Sequence, residues 1–545
     1  MIPVSVSHAT AVARADFLQR IRSRRLLFVL AIFAFVGYQL NVGAFELLYQ
    51  DTVAGEIVNY RGEPTSAYVG LTTGVTAATV LLFFGYSVLG GSIERDRTSG
   101  VDELVASTPI RDRSYLLGKW LSHVGMSAVL LATLGFAALI NHVVHGSGPT
   151  NPVWILGGVV AIGVPIGCFV SGVTVLFQSS SFSRGTFGTI AYFFGAMTLL
   201  TAVLAVGTDP SAGRPSIWLR LADSIGVFAA GEMTFAALLD VAPGYDGPPV
   251  ANYGTGTSTG ETVRYRWDGG AWPPWFVLNR FGFGLVGLAL VLFATIPYER
   301  FSRTGAPSQR SRFDRLTEFL AVIFGDGSVP EPDTPDPAAV SLRPVTDRDR
   351  SGFGRLLVQE LRLLLRGHPW WWYAGAGVIA VVGLNGAGTT GVTVAIAAMW
   401  PLFVWSPMGY RPIHHRIVPL VVSAPRPQRQ LLAEWIAGAI VAGSFLGVVY
   451  WPTVLDSGFG GLIVLAGFVC FVPSLAQCLG SWTGTRRAFE LSYLLCWYVG
   501  PLNGVPMLDF AGATGETVGT ATPLAFGVVG LTLFLGAMVH RHRLS

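Results

Sequence analysis

The chain contains one lysine, Lys119, and it follows a glycine, Gly118. A phosphate-binding loop needs GxxxxGK and then Ser or Thr: the glycines let backbone N–H groups wrap the phosphates, and the hydroxyl holds Mg2+. Here Trp120 follows the lysine, and Arg113 stands where the first glycine belongs. The sequence therefore carries no nucleotide cradle of that kind. His142 and His145 have the spacing of one helical face, but no Cys, Asp or Glu stands beside them to complete a metal site. His414 and His415 are adjacent and point different ways on a helix. Cys168, Cys470, Cys478 and Cys496 all lie in apolar segments without CxxC or zinc spacing, and read as small core residues. Glu46 and Glu490 lie near the ends of apolar segments. There a carboxylate reaches the interface and avoids the roughly 2.5–3.5 kcal/mol cost of a mid-membrane charge, so snorkelling is expected rather than a proton relay. No Ser-His-Asp grouping or carboxylate pair points to an enzyme, no cofactor motif is present, and nothing marks a nucleic-acid partner.

The densest polar chemistry is GGSIERDRTSGVDELVASTPIRDRSYLLGKW, Gly90 to Trp120, set between two apolar stretches. Val101, Leu104 and Val105 fall at i, i+3 and i+4, one face of a short helix. Ser99 with Asp102 three residues on makes a weakened capping box at its start. Thr108-Pro109 ends it, because proline disfavours helical geometry in the residue before it, and Pro109 is expected to open the next helix. A fainter copy, HHRIVPLVVSAPRPQRQLLAEW, runs from His414 to Trp435. At a constant offset Ile417, Leu420 and Val421 match Val101, Leu104 and Val105, and Ser423 and Pro425 match Ser107 and Pro109. One residue of slippage then pairs Leu116, Leu117 and Trp120 with Leu431, Leu432 and Trp435. Two turns are unstable alone, so each helix must pack on something, either its own bundle or a groove on a soluble partner.

The elements around these helices are built for lipid. Of 545 residues, 51% are hydrophobic and only 12% charged, against about 25% charged in soluble domains. A spanning helix needs roughly 20 apolar residues, and about twelve segments qualify. Their cores are 26–45, 68–92, 116–143, 153–177, 186–207, 275–297, 370–386, 391–408, 431–451, 459–480, 488–507 and 521–540. Arginine crowds alternate loops, as at Arg20–Arg25, Arg300–Arg366, Arg411–Arg429, Arg486-Arg487 and Arg541–Arg543, whereas the loops between are neutral or acid-leaning. Basic loops stay in the cytoplasm, which places both termini and the Gly90–Trp120 stretch inside.

Cationic amphipathic segments, FLQRIRSRR from Phe17 and LLVQELRLLLRGHP from Leu356, precede the first span of each half. The expected fold is an all-α polytopic membrane protein of two parallel six-helix repeats. The halves are 1–300 and 351–545, joined by an Arg- and Pro-rich cytoplasmic linker over 301–350. The first half carries a large outer loop, 208–272, in which 216–240 is expected to lie on or dip into the outer leaflet and ETVRYRW alternates like an edge strand.

The Gly90–Trp120 stretch resembles the loop after the second span in ABC-2 type transporter permeases. The matching residues are Glu94, Arg95, Gly100, Leu104, Pro109, Gly118 and Lys119; the second half keeps the plan but lacks the acidic residues and the Gly-Lys. The resemblance implies a permease subunit of an ATP-binding cassette transporter, an exporter, in a prokaryotic plasma membrane. It implies that ATP and Mg2+ are bound by two copies of a separate cytoplasmic ATPase. The residues expected to touch that ATPase are Glu94, Arg95, Asp96, Val101, Asp102, Glu103, Leu104 and Val105 in the first half, and Ile417, Leu420 and Val421 in the second. The substrate is not legible. An ion-driven transporter of the major-facilitator type also has two parallel six-span halves, and Gly91, Asp96, Arg97 and Gly100 approach its loop signature. No basic pair follows Gly100, however, and a whole short helix intervenes.

Overall fold

The computed structural model describes residues 4–39, 46–53, 56–180, 185–207, 215–254, 261–296, 298, 352–366, 368, 370–385, 391–424 and 426–544. The expected linker, 301–350, lies outside the described residues, as does Pro425. The chain divides into two compact units, Met1–Ala306 and Pro307–Ser545. Among the described residues eight helices are long and apolar enough to cross a membrane. The protein is a mostly helical, multi-pass membrane protein.

In the first unit, α1 (Val4–Ile21) and α2 (Arg24–Gln39) precede a β-hairpin, β1 (Glu46–Val53) and β2 (Glu56–Gly62). Then come α3 (Ser66–Leu89), the short α4 (Ser92–Thr98) and α5 (Val101–Ala106), and the long α6 (Asp112–His145), α7 (Pro152–Ser179) and α8 (Thr186–Gly207). Past α8 lie α9 (Ile217–Ala222), α10 (Val227–Val241), β3 (Asn252–Gly254), β4 (Glu261–Tyr265) and α11 (Pro274–Phe293). Helix α3 forms the centre of the bundle and packs on α7 with the backbones almost touching. A Cβ at Gly158 would lie 2.1 Å from the carbonyl oxygen of Gly70, so only glycine permits the approach. Such contact replaces the hydrophobic drive that lipid does not supply between helices.

The hairpin, β3 and β4 make one sheet in the order β3-β1-β2-β4, in which β1 pairs antiparallel with its neighbours and β4 runs parallel to β2. ETVRYRW does supply an edge strand. The sheet itself departs from the all-helical expectation: β1 and β2 pair locally as a hairpin, but β3 and β4 come from a segment some 200 residues away and join it only after folding. Buried tyrosines fasten it to the helices: Tyr49 donates to the carbonyl of Gly231 (2.6 Å) on α10, and Tyr68 on α3 to that of Leu47 (2.7 Å). The 216–240 segment folds as α9, with Trp218 78% exposed, and α10. Asp223 caps α10 by accepting from the amides of Gly226, Val227, Phe228 and Ala229. Arg280 of α11 donates to the carbonyls of Asp223 and Ser224, clamping the same turn.

The second unit begins with α12 (Phe353–Leu365), α13 (Trp370–Leu384) and α14 (Gly391–Met399). It continues through the short α15 (Leu402–Trp405), α16 (Arg411–His414) and α17 (Val418–Val422). The long α18 (Pro427–Ser457) and α19 (Phe459–Thr483), then α20 (Arg486–Trp497) and α21 (Thr522–Leu544), complete it. Four of the twelve expected spans are shorter than expected. Leu26–Gln39, Trp370–Leu384 and Gly391–Trp405 are apolar but below full spanning length. The fourth, 488–507, is helical only to Trp497 and then passes into a π turn holding Pro501. Glu490 also departs from expectation. It does not snorkel: its side chain is fully buried, and Ser406 donates to its Oε1 at 2.5 Å.

Candidate functional site

Position Gly100, at φ +72°, turns the chain between α4 and α5. At the matching place between α16 and α17 stands Arg416, at φ +54°, the one non-glycine residue with positive φ among the described residues. The same left-handed turn thus sets each short helix. Ser99 does not cap α5 as expected. Its hydroxyl donates back to the carbonyls of Arg95 (2.8 Å) and Asp96 (3.2 Å), closing α4 instead. Helix α5 ends at Ala106, before Pro109, and the next helix begins at Asp112, three residues later than the proline.

The exposed residues of the two short helices agree closely. Val101 is 39% and Leu104 69% exposed; Ile417 is 40% and Leu420 72% exposed. Val105 and Val421 are only half-buried or better and do not share that outlook. Val105 packs on the cluster of Ile93, Tyr115 and Leu116, so the expected three-residue face divides into one anchor and two outward residues. Asp102 and Glu103 lie on α5, and Glu94 is half-buried on α4.

Two residues of the expected contact set have partners inside the bundle. Asp96 is buried, 2.6 Å from Lys119 Nζ, and accepts from the Tyr115 hydroxyl at 2.7 Å. Arg95 reaches Asp16 of α1 at 3.1 Å. Low dielectric makes a buried carboxylate seek cations, and the bundle supplies them. Asp16 is the hub: Lys119 (2.9 Å) and Arg20 (2.9 Å) pair with it, and Ser122 donates to it at 2.6 Å. Arg20 also donates to the carbonyl of Leu89 (2.6 Å), the last residue of α3, and contacts His123 Nε2 at 3.0 Å. Ser92 Oγ lies 3.2 Å from the same nitrogen. Four elements, α1, α3, α4 and α6, meet in one charged knot. Burial opposes ionisation of Asp16, but Arg20 and Lys119 together outweigh it and hold the carboxyl well below the usual range.

The second unit has a knot of its own. Arg411, at the start of α16, lies 3.1 Å from Glu434 of α18 and 3.5 Å from Glu360 of α12. Glu434 also accepts from the Gly409 amide (3.1 Å) and from Gln477 of α19 (3.1 Å), and Gln430 donates to Glu360 at 2.9 Å. Burial and the nearby Glu434 push the Glu360 carboxyl up against the pull of Arg411. Lys119 and Glu434 immediately precede Trp120 and Trp435, so the matched position carries opposite charges in the two units. The tryptophans hold like contacts: Trp120 donates to the carbonyl of Cys168 on α7 (3.0 Å), and Trp435 to Ser474 of α19 (2.8 Å).

Sequence reasoning used Lys119 to reject a phosphate loop and as part of a family resemblance, and did not find Asp16 or Glu360. Their signal is a lone carboxylate in an otherwise cationic amphipathic helix. His142 does not wait for a metal: its ring nitrogens lie 3.3 Å from the Ser66 hydroxyl and 3.2 Å from that of Thr150.

Eight long apolar helices among the described residues, and in each unit a short helix with outward apolar residues beside a buried ionic knot, define a multi-pass membrane protein. Residues 10–217, less than half of the chain, match the model of a family described as ABC-2 family transporter protein. The matched segment runs from α1 to the first residue of α9 and contains the whole first knot and α5. No curated protein matches the chain. The major-facilitator reading finds no support in the match.

Proposed function

We propose that this chain supplies both membrane halves of an ATP-driven exporter, and that α5 and α17 each receive one cytoplasmic ATPase subunit that binds the ATP and Mg2+. The observation that carries the reading is the pair of outward residues on each short helix, Val101 with Leu104 and Ile417 with Leu420, presented to the same degree in both units. Two apolar side chains buried at roughly 1.5–3 kcal/mol each make a small anchor, one that extra polar contacts must complete. The two like knots and the two left-handed turns support a parallel repeat of 1–300 and 351–545.

Motion has a route inward. When the ATPase pair closes, α5 moves and carries α4 through the Gly100 turn. Asp96 pulls on Lys119 of α6, and Lys119 pulls on Asp16 of α1, so the loop, a spanning helix and the membrane-surface helix shift together. In the second unit α16 acts on α18 and α12 through Arg411. Outward transport fits an arrangement in which the sheet and α9–α10 cover the end of the first unit opposite its knot.

The test is co-purification of the tagged full chain with an ATPase, read by stoichiometry and ATP hydrolysis. Leu104→Asp with Leu420→Asp should abolish the contact while insertion and melting temperature persist. Retention of two coupled ATPase subunits by that double variant would sink the reading.

A further inference from the structure

The two short helices offer the same apolar residues but different charge. From Arg411 to Gln430 the sequence has no acidic residue, and Arg416, Arg426 and Arg429, which flank α17 in sequence, are all exposed. From Arg97 to Arg113 the first unit has three acids, Asp102, Glu103 and Asp112, against three arginines, Arg97, Arg111 and Arg113. Val418 and Pro419 occupy the places of Asp102 and Glu103. Arg416 is the sharpest difference, because it holds a left-handed turn that the first unit gives to glycine. An L side chain there costs roughly 1–2 kcal/mol.

We infer that the α17 surface docks into an acid-lined groove of its ATPase subunit, and that the α5 surface docks without net electrostatic attraction. This rests on the proposed docking role of both helices. Its consequence is an ordered assembly. Exposed charges are screened over about 8 Å at physiological salt and about 3 Å at 1 M, so the contact at α17 is the salt-sensitive one. The two ATPase subunits therefore leave the complex at different ionic strengths, and the subunit at α17 leaves first. Charge complementarity also speeds encounter, so α17 is the first contact to form at low salt.

The probe is the ATPase subunit that the tagged full chain retains in nanodiscs at low salt, identified by mass and by ATP hydrolysis. Native mass spectrometry should show two copies at low salt and one at 0.5–1 M, with at least a tenfold difference in apparent affinity between the two contacts. Arg416→Gln with Arg426→Gln and Arg429→Gln should give the one-copy species already at low salt. Pro419→Glu, which restores an acid at the place of Glu103, should do the same by a change on the exposed face alone. Adding Leu104→Asp to either variant should remove the remaining copy. Simultaneous loss of both copies with salt, or two copies retained by both α17 variants, overturns the inference. So does a variant that keeps two copies but loses binding to vesicles of phosphatidylcholine and phosphatidylglycerol, which would assign the arginines to lipid. Absence of any ATPase at low salt would overturn the docking role itself, an outcome distinct from the others.

Discussion

Lys119 Nζ lies 2.6 Å from Asp96 on α4 while its own helix, α6, runs on as a spanning segment. The same nitrogen is 2.9 Å from Asp16, so a single ammonium holds two carboxylates from separate elements. Removing one partner of a buried ionic group leaves charge without compensation, at roughly 3–5 kcal/mol. Lys119→Met should therefore lower thermal stability by about that amount and free α1 from α6. Lys119→Met combined with Asp16→Asn should recover part of the loss. Melting curves in detergent check both, and equal stability of the single and double variants would contradict the shared ammonium.

The left-handed turns predict opposite signs for exchanging glycine and side chain. Nothing lies within 4 Å of a Cβ built on Gly100, so Gly100→Ala tests backbone strain alone. It should destabilise by about 1 kcal/mol, and Arg416→Gly should stabilise by a similar amount. Differential scanning of the two variants reads the pair. A gain for Gly100→Ala would remove strain as the explanation.

Acid should loosen α1 and not α12. The Asp16 carboxyl is depressed, so its contribution is present in full above its unfolded pKa of about 4 and is lost as pH falls through the folded value. The Glu360 carboxyl is raised, so its ionised form weakens the packing of α12, and that cost grows as pH rises through the folded value. Nitroxides placed by Gln19→Cys on α1 and Gln359→Cys on α12, both exposed, report each helix. On acidification below about pH 4 the first should gain mobility and the second should not. Glu360→Gln should raise stability at neutral pH and make no difference in acid.

Asp223 accepts four backbone amides at the start of α10, and Arg280 clamps the same turn. Asp223→Ala leaves buried donors without acceptors, at roughly 1–3 kcal/mol for each that finds no water. Protease sensitivity between α9 and α10 should rise. Unchanged proteolysis would show the cap to be dispensable.

Much of this was legible in the chain as a string. Spanning helices follow from long apolar runs, and α5 and α17 follow from an i, i+3, i+4 pattern ended by proline. Their outward residues, Leu104 and Leu420, stand where the pattern put them. What was illegible is pairing over distance. Asp16 and Lys119 are 103 residues apart, and neither position alone announces the other. Asp96 looked like a surface charge for the same reason: its neighbours in sequence are polar, and its neighbours in space are buried. ETVRYRW read as an edge strand, but the rest of the sheet escaped notice because β1 finds β3 and β2 finds β4 only across the whole first unit.

The sequence by itself determined that the protein crosses a membrane many times, that its basic loops alternate, and that one short helix recurs, because those properties depend on local composition and period. Tertiary structure alone decided which charges face out and which are consumed inside. Burial is a property of the folded surroundings, and a carboxylate such as Asp16 or Glu434 becomes a structural hub only when helices distant in the chain bring donors to it.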